Sequence, residues 1–250
     1  MRHLRIIGIG AGDPDHITVQ AITALNETDV VFVIEKGAED LVALRRQICE
    51  RHIEPDHPYR VVEIADPQRD RHAAGYESAV EDWRQRRADA WEATIESELP
   101  DDRCGAFLVW GDPSLYDSTI AVVDEILARG RIALQYDVVP GISSVHALTA
   151  RHRIPLNRVG RAVQITTGRR LADGFPDDVD DVVVMLDAGC TFKTVTEPGI
   201  EIYWGAYLGT QDEILISGRL PDVAEEIEQV RAQARERKGW IMDCYLLRRN

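Results

Sequence analysis

The sequence predicts an α/β fold of two α/β domains, with a mainly parallel N-terminal sheet and a mixed C-terminal sheet. In the first half, short apolar runs of strand length alternate with amphipathic helical segments, as in parallel sheets. Two of these runs end in a glycine turn that leads into a helix, at Gly111 and at Gly141. In the second half, short turns join most of the strand candidates, which favours antiparallel pairs.

The segment from Gly105 to Ser118 contains the clearest strand, turn and helix start. Residues 106–110 form an unbroken apolar run that is too short for a helix and suits a strand buried on both faces. Gly111 and Pro113 end that strand, and Ser114 is predicted to cap the following helix. Such a loop lies at the carboxyl edge of a parallel sheet, where open α/β sheets bind ligands. A tight connection without a ligand explains the stretch equally well.

The rest of the first half continues the alternation of strands and helices. Thr18 is predicted to be the N-cap of the first helix, and Gly130 to end the fourth. Trp83 and Trp91 lie on a long charged helix, where aromatic residues are more often core or dimer contacts than ligand platforms. The predicted strands are residues 4–9, 30–34, 59–64, 106–110 and 132–138, and the predicted helices are residues 19–25, 39–53, 73–98 and 115–129.

A second strand, glycine turn and helix start follows, where Ser143 and Ser144 place two hydroxyls at the start of the helix. These serines either only cap the helix or also help to bind a ligand, and the sequence leaves both open. We place the domain boundary in the fourth helix, which gives domains of residues 1–128 and 129–250. The later strands are predicted at residues 163–167, 182–186, 200–204, 214–217 and 240–247, with a long helix at 223–237.

Composition and charge argue against several classes of protein. A formal net charge of −14 argues against nucleic acid as the main partner, because phosphate binding normally leaves a basic footprint. No run approaches the roughly 20 apolar residues that span a bilayer, and the chain opens on a strand rather than a signal peptide, so we expect a cytoplasmic protein without a membrane partner. The cysteines form no C-x-x-C pair and the histidines lack metal-ligand spacing, so we expect reduced thiols and no metal.

The basic residues are almost all arginine, with Lys36, Lys193 and Lys238 as the exceptions. Arginine binds carboxylates through two parallel hydrogen bonds, so this composition is compatible with a ligand that carries several carboxylates. A bias in the nucleotide composition of the genome would explain the excess of arginine equally well.

A dinucleotide site of the Rossmann type is the obvious alternative for the first loop, with Glu35 as the acid that binds the ribose. The glycines Gly8, Gly10 and Gly12 run G-x-G-x-G, whereas the dinucleotide fingerprint is G-x-G-x-x-G. Asp13 falls where a pyrophosphate would need a bare helix N-terminus, and its charge would repel phosphate. The sequence therefore argues against a dinucleotide.

Three motifs stand out along the chain: GIGAGDPDHIT near the start, LVWGDPSLY in the middle and VVPGISS after it. Together they resemble the signatures of the tetrapyrrole methylases, the S-adenosylmethionine-dependent methyltransferases of sirohaem and cobalamin synthesis. The resemblance implies two α/β domains with the cofactor in the cleft between them, a small-molecule tetrapyrrole substrate and a homodimer. None of this follows from composition or spacing.

Further stretches resemble the branch of this family that methylates a precorrin and releases acetate in the aerobic cobalamin pathway. They are EKGAEDLVALRRQICERHI, RHRIPLNRVG, ITTGRRL, IYWGAYLGTQDEILISGRLPDV and GWIMDCYLLRR. Two alternatives stay open. One is a family member that methylates another macrocycle position, and the other is a non-catalytic protein that binds the cofactor or a nucleotide.

The resemblance implies site residues one at a time, with the N-terminal domain on the tetrapyrrole side and the C-terminal domain completing the cofactor site. Gly10 and Gly12 are placed near the tetrapyrrole, and Ala11 stands where the family usually has a proline that would stiffen the turn. The residues implied to contact the cofactor are Trp110, Gly111, Asp112, Leu115, Ser143, Ser144, Leu186 and Ala206.

Loss of an acetyl group needs an attacking water and a group that takes its proton, so we expect a general base. Chemically able side chains near the motifs are Asp13, His16, Asp112, Tyr116 and His146. Of these we favour Asp13 and Tyr116 as catalytic groups that face the substrate. The pairs considered for gripping the substrate carboxylates are Arg169 with Arg170 and Arg151 with Arg153.

Overall fold

The structure, a computed structural model, describes residues 1–34, 39–67 and 76–250. These residues form two five-stranded sheets, each in a compact unit of its own. The first unit comprises Met1–Gly10 and Pro14–Ile142, and the second comprises Ala11–Asp13 and Ser143–Asn250. Because the first sheet is parallel and the second is mixed, the predicted α/β fold class is confirmed.

Strands and helices alternate regularly up to the fifth helix and less regularly after it. The strands are β1 (Arg2–Gly8), β2 (Val30–Ile34), β3 (Arg60–Ile64), β4 (Cys104–Val109), β5 (Leu134–Val139), β6 (Val163–Thr167), β7 (Asp181–Met185), β8 (Ile200–Ala206), β9 (Ile214–Arg219) and β10 (Asp243–Arg249). The α-helices are α1 (Val19–Leu25), α2 (Glu39–His52), α3 (Tyr76–Glu98), α4 (Thr119–Arg129), α5 (Ser144–His152), α6 (Gly168–Leu171) and α7 (Leu220–Lys238). Short 3₁₀ helices lie at Pro14–His16 and Thr191–Thr194.

The first sheet has the strand order β3-β2-β4-β1-β5, and each of its pairs is parallel. All five strands therefore end at the same edge, and the loops after β4, β1 and β5 leave from neighbouring positions. Successive side chains point to opposite faces, yet Ile6 and Ile7 are both fully buried. Burial on both faces is the reason why these strands are unbroken apolar runs in the sequence.

Helices cover both faces of the first sheet. Helices α3 and α4 pack on one face, where Trp91 is fully buried and its ring centroid lies 4.4 Å from that of Phe107. Arg87 lies over the Trp91 ring and forms a buried ion pair with Asp66 at 2.7 Å. Helices α1 and α2 pack on the other face. Trp91 is therefore a core residue, which is one of the two roles that the sequence favoured.

The second sheet has the strand order β6-β7-β10-β8-β9 and is mixed. Strands β6 and β7 are parallel, whereas the other neighbours are antiparallel. Helix α7 and the second 3₁₀ helix pack on one face, around Trp204, Tyr245 and Phe192. Helix α5 contacts β8, β9 and β10, and a side chain on Gly205 would meet its Leu148.

The fourth helix begins later than predicted. Helix α4 starts at Thr119 with Ser118 at its N-cap, so the prediction that Ser114 caps it is wrong. Asp112 accepts a hydrogen bond from the amide of Ser114 at 2.9 Å, and Tyr116 has a φ of 54°. A side-chain oxygen that competes for a backbone amide and a left-handed φ both keep this stretch out of the helix.

The division between the units differs from the expected boundary at residues 128 and 129. Strand β5 pairs with β1 and completes the first sheet, so the first unit continues to Ile142. Residues 11–13 group with the second unit although they belong to the loop that follows β1. Periodicity identifies a strand but does not tell which sheet it joins, because the pairing partner is far away in sequence.

Some predictions fall outside the described residues, namely Glu35 as a ribose-binding acid and residues 73–75 at the start of the third helix. In the part of the chain that the structure describes, no helix has the length and apolar character needed to cross a membrane. The same residues include no group of three or more histidine, cysteine, aspartate or glutamate side chains placed to hold a metal ion.

Candidate functional site

In the first unit, the loops after β1, β4 and β5 approach one another through glycines. Gly10 and Gly111 form an isolated antiparallel bridge, in which the Gly111 amide donates to the Gly10 carbonyl at 2.8 Å. A Cβ on Gly8 would lie 2.6 Å from the Gly141 nitrogen. A Cβ on Gly141 would lie 2.8 Å from the Gly8 Cα and closer still to the Gly111 carbonyl oxygen. Side chains are therefore excluded at Gly8 and Gly141 by neighbouring backbone.

Asp112 joins the loops after β4 and β5 through its carboxylate. Its Oδ2 accepts a hydrogen bond from the Gly141 amide at 2.9 Å. Its Oδ1 accepts hydrogen bonds from both the amide and the hydroxyl of Ser114. Hydrogen bonds to an ionised acceptor are stronger than those between neutral groups. The carboxylate of this predicted cofactor residue therefore fixes one loop against the other.

The other candidates near the β4 loop occupy different environments. Trp110 packs against the apolar cluster under α1 and α2, and its indole Nε1 is buried without a hydrogen-bond partner among the described residues. Leu115 donates its amide to the Asp112 carbonyl at 3.2 Å in the turn before α4. Tyr116 is 46 % exposed, and its partial burial raises the pKa of its hydroxyl.

The first motif is divided between the two units. Gly10 and His16 belong to the first, where a side chain on Gly10 would meet the His16 Cβ at 2.5 Å. Gly12 and Asp13 belong to the second, where a Cβ on Gly12 would lie 2.5 Å from the Leu208 carbonyl oxygen. Gly12 has a φ of 148°, so both its conformation and its close packing require glycine.

Ser143 and Ser144 have separate structural roles at the start of α5. Ser143 is the N-cap, is 4 % exposed, and its hydroxyl accepts from the His146 amide at 3.4 Å. The Nδ1 of His146 lies 2.8 Å from the same hydroxyl. Ser144 is the first helical residue. The capping role that the sequence left open for Ser143 is therefore present, and His146 is already engaged by it.

Leu186 directly follows β7 and is 67 % exposed, although it is a large apolar residue. Its φ of 54° is left-handed, which costs a residue with a Cβ roughly 1–2 kcal/mol. The next residue, Asp187, is 5 % exposed and accepts four hydrogen bonds. An exposed apolar side chain in a strained conformation, beside a buried carboxylate, is typical of a functional loop.

Ala206 is fully buried at the end of β8, between its strand partners Ile214 and Asp243. The next residue, Tyr207, has a φ of 49° and is 2 % exposed. Its hydroxyl donates to the Trp240 carbonyl at 2.6 Å and lies 3.2 Å from the Ala234 carbonyl. The strained turn after β8 is therefore anchored to the end of α7.

The candidate arginines lie on exposed parts of the second unit. Arg169 and Arg170 are exposed on α6 directly after β6, and Arg170 lies 3.7 Å from the carboxylate of Asp173. Arg151 forms an ion pair with Glu213 at 2.9 Å, and Arg153 is the exposed C-cap of α5. Because Arg169 and Arg170 are both exposed and Arg151 is held by Glu213, the first pair is the better placed of the two to meet an incoming carboxylate.

Sequence reasoning missed a buried polar cluster in the second unit. Tyr245 donates to Asp187 at 2.7 Å, while Arg231 donates to the Asp187 carbonyl at 2.7 Å and pairs with Asp243 at 2.9 Å. Trp204 completes the cluster by donating to Asp243 at 3.0 Å. A charged residue directly after an apolar strand was the available signal, but the partners are spread over α7, β8 and β10. We call these five residues the Asp187 cluster.

Comparison with known proteins identifies the family. The model of the Tetrapyrrole (Corrin/Porphyrin) Methylases matches residues 3–224. The chain belongs to this family, as its three motifs suggested. It is also 53 % identical to a precorrin-6A synthase (deacetylating) from Sinorhizobium sp over 251 aligned positions, which cover 100 % of this chain and 96 % of that protein.

Solved structures agree with the fold. A cobalamin synthesis related protein (CobF) from Corynebacterium diphtheriae superposes with a TM-score of 0.84 at 38 % identity, covering 99 % of this chain and 98 % of that one. A uroporphyrin-III C-methyl transferase from Thermus thermophilus, complexed with S-adenosyl homocysteine, has a TM-score of 0.60 at 19 % identity, covering 98 % and 91 %. The second likeness supports the fold alone.

Proposed function

We propose that this protein is a precorrin-6A synthase. It transfers a methyl group from S-adenosylmethionine to carbon 1 of precorrin-5, and the macrocycle loses its acetyl group as acetate to give precorrin-6A in cobalamin biosynthesis. The single observation that carries this proposal is the 53 % identity to the Sinorhizobium enzyme along the whole chain. A precorrin-2 C(20)-methyltransferase of the same genus is only 27 % identical over 68 % of the chain. The higher identity to the precorrin-6A synthase favours that enzyme's specificity.

The residues at the loops fit S-adenosylmethionine on two structural grounds. Close packing of Gly8, Gly111 and Gly141 leaves backbone rather than side chains at the edge of the first sheet, and backbone groups can approach a folded ligand closely. The buried Trp110 indole offers a donor without a partner among the described residues. We infer that the cofactor residues are Trp110, Gly111, Asp112, Leu115, Ser143, Ser144, Leu186 and Ala206.

S-adenosylmethionine supplies a methyl group bound to a positively charged sulfur. An attacking carbon takes this methyl group in line, and the sulfur leaves as the neutral thioether of S-adenosylhomocysteine. The protein contributes orientation, since holding the two carbons close together in a dry site removes most of the entropic barrier. The backbone of the glycine loops binds and orients the cofactor in this proposal. Gly10 and Gly12 border the tetrapyrrole.

Acetate release requires a group that accepts a proton from the attacking water. We keep Asp13 as the candidate for this base, since His146 is engaged by the Ser143 hydroxyl and Asp112 holds two loops together. Burial raises the pKa of the Tyr116 hydroxyl, so we keep Tyr116 as a catalytic group that faces the substrate and donates to it. Loss of the base in Asp13→Asn, or of the donor in Tyr116→Phe, predicts a methylated product that retains its acetyl. Release of acetate at the wild-type rate by both variants would contradict the assignment.

We infer that Arg169 and Arg170 bind carboxylates of the substrate. Reversal of both charges in Arg169→Glu/Arg170→Glu is expected to weaken precorrin binding about tenfold or more, because charged hydrogen bonds are replaced by repulsion. The control is Arg219→Glu, which reverses an exposed charge on the same unit. Equal affinity of the double variant and the control would rule out this role.

The reaction itself is tested by anaerobic incubation of the purified protein with S-adenosylmethionine and enzymatically made precorrin-5, followed by mass spectrometry. The expected product has gained one methyl and lost one acetyl. Gain of a methyl with the acetyl retained would leave a methyltransferase without deacetylation. Cofactor binding without any mass change would favour another macrocycle or a non-catalytic role.

Assembly and location belong to the same proposal. We expect a homodimer in solution, which light scattering coupled to size exclusion measures directly. A cytoplasmic location is supported by four free cysteines among the described residues, since thiols persist in a reducing compartment. Cys244 is buried, and its burial raises the pKa of its thiol to about 12.

A further inference from the structure

The loop after β7 combines backbone strain with an unusual density of hydrogen bonds. Leu186 and Cys190 both have a φ of 54° at either end of the loop. Left-handed non-glycine residues persist only where the surrounding structure determines them. Two such residues within five positions therefore require a strong local constraint.

Asp187 supplies that constraint with both of its carboxylate oxygens. Oδ1 accepts from the Gly189 amide at 3.0 Å and from the Thr191 hydroxyl at 2.8 Å. Oδ2 accepts from the Thr191 amide at 2.6 Å and from the Tyr245 hydroxyl at 2.7 Å. The Gly189 amide belongs to the loop, the two Thr191 groups belong to the first residue of the following 3₁₀ helix, and Tyr245 belongs to the neighbouring strand β10. The carboxylate therefore ties the loop to the sheet.

The charge state of Asp187 agrees with this role. Burial by itself would raise the pKa of the carboxyl group, but the hydrogen bonds from Tyr245, Gly189 and Thr191 outweigh it and lower the pKa below its usual value. The group is thus ionised at neutral pH and acts purely as an acceptor. Burial and the adjacent carboxylate raise the pKa of the Tyr245 hydroxyl, which keeps it a donor.

Two further elements, α6 and α7, pack against Asp187. A Cβ on Gly168 would lie 2.5 Å from the Asp187 Oδ1, so a glycine at the start of α6 leaves the room that the side chain fills. Arg231 of α7 donates to the Asp187 carbonyl at 2.7 Å and is held by Asp243. The loop is thus constrained by α6, α7 and β10 at once.

We propose that Asp187 is a positioning residue, which holds the loop after β7 so that the exposed Leu186 side chain is presented to the bound cofactor. This inference rests on the proposed function, in which Leu186 contacts S-adenosylmethionine. Asp187 itself touches neither cofactor nor substrate. Its hydrogen bonds offset the strain of Leu186 before the ligand arrives, so that binding requires little ordering of the loop.

The first test is the affinity for S-adenosylmethionine, measured by titration calorimetry. In Asp187→Asn the amide nitrogen faces donors, so at least one backbone amide of the loop loses its acceptor, and Kd is expected to rise about tenfold. At saturating S-adenosylmethionine kcat is expected to stay within about twofold, since the reacting groups are untouched. Tyr245→Phe removes one donor and keeps the carboxylate, so its effect should be smaller.

The control for general destabilisation is Ile227→Val, which removes one methylene from the core of the same unit. It lowers stability without touching the loop, so its Kd should equal that of the wild type. Action through Leu186 is tested with Leu186→Ala alone and combined with Asp187→Asn. The Kd of the double variant for S-adenosylmethionine should be close to that of whichever single variant binds more weakly. Independent, multiplicative losses would overturn the proposal.

Hydrogen exchange of the ligand-free protein separates this proposal from the proposed function. The amides of Gly189 and Thr191 should exchange much faster in Asp187→Asn than in the wild type, because both donate to the carboxylate. Unchanged exchange overturns the positioning role, whatever the ligand is. A wild-type protein that fails to bind S-adenosylmethionine overturns the proposed function, and the exchange result still decides whether Asp187 holds the loop.

Discussion

The two units shape their strand-end loops by different means. In the first unit, glycines allow backbone to pack on backbone, as at Gly8, Gly111 and Gly141. In the second, Leu186 and Tyr207 take left-handed conformations that buried side chains stabilise. The first solution depends on the absence of a side chain and the second on the presence of particular ones.

This difference determines how each set of loops tolerates change. A glycine packed on backbone has no alternative rotamer, so any Cβ displaces main chain. A polar cluster loses its hydrogen bonds one at a time, so truncations produce graded losses. The predictions below therefore contrast abrupt effects in the first unit with graded effects in the second.

The largest effect is expected for Gly141→Ala. The new Cβ would overlap the Gly111 carbonyl oxygen and the Gly8 backbone, neither of which can move without breaking the sheet edge. We expect the free energy of unfolding to fall by about 4 kcal/mol or more. Urea unfolding followed by tryptophan fluorescence measures it. Gly189→Ala is the control, because its Cβ would meet only Asp187 Oδ1 at 4.0 Å, and a loss as large there would contradict the argument.

The next effect is expected for Asp243→Ala in the second unit. The change leaves the Trp204 indole without its acceptor and the buried Arg231 guanidinium without its carboxylate, so that Arg231 keeps only the Asp187 carbonyl. Removing one partner of a buried ion pair costs about 3–5 kcal/mol. Glu225→Ala, which removes an exposed partner of Lys193, should change stability by less than about 1 kcal/mol. Similar losses in the two variants would show that burial does not strengthen the Arg231 pair.

A smaller effect is expected for Tyr207→Phe. The variant leaves the Trp240 carbonyl without its 2.6 Å hydrogen bond from the buried tyrosine, at a cost of about 1–2 kcal/mol. Tyr136→Phe is its counterpart in the first unit, where the hydroxyl donates to the exposed Asp124 and the loss should stay under about 0.5 kcal/mol. Equal urea midpoints for the two variants would remove the contrast between the units.

The smallest expected effect is the pH dependence of the free energy of unfolding. Because the folded state lowers the pKa of Asp187, this group stabilises the protein above its unfolded pKa of about 3.9, and the contribution is lost as pH falls through the lower folded value. The stability gap between wild type and Asp187→Asn should therefore be full at pH 7 and shrink below about pH 4. Arg231, Asp243 and Tyr245 face the group, and the charge of Asp187 raises the pKa of each of them, so the gap includes their response to the loss of that charge. A gap that widens in acid would contradict the assignment.

Local signals in the sequence identified most of the strands and helices and several of their ends. Thr18 caps α1 and Gly130 ends α4 in a left-handed conformation, as predicted, because caps act within one turn of the chain. Burial on both faces produced apolar runs that identified β2 and β4. The motifs likewise led to the family to which the chain belongs.

Features that depend on partners distant in sequence became visible only in the folded structure. It placed β5 in the first sheet, moved the start of α4 past the turn around Asp112, and grouped residues 11–13 with the second unit. It also assembled the Asp187 cluster from the loop after β7 and from β8, β10 and α7, whose residues carry no common motif. Local signals are written in neighbouring residues, whereas strand pairing and buried polar networks depend on which distant segments meet.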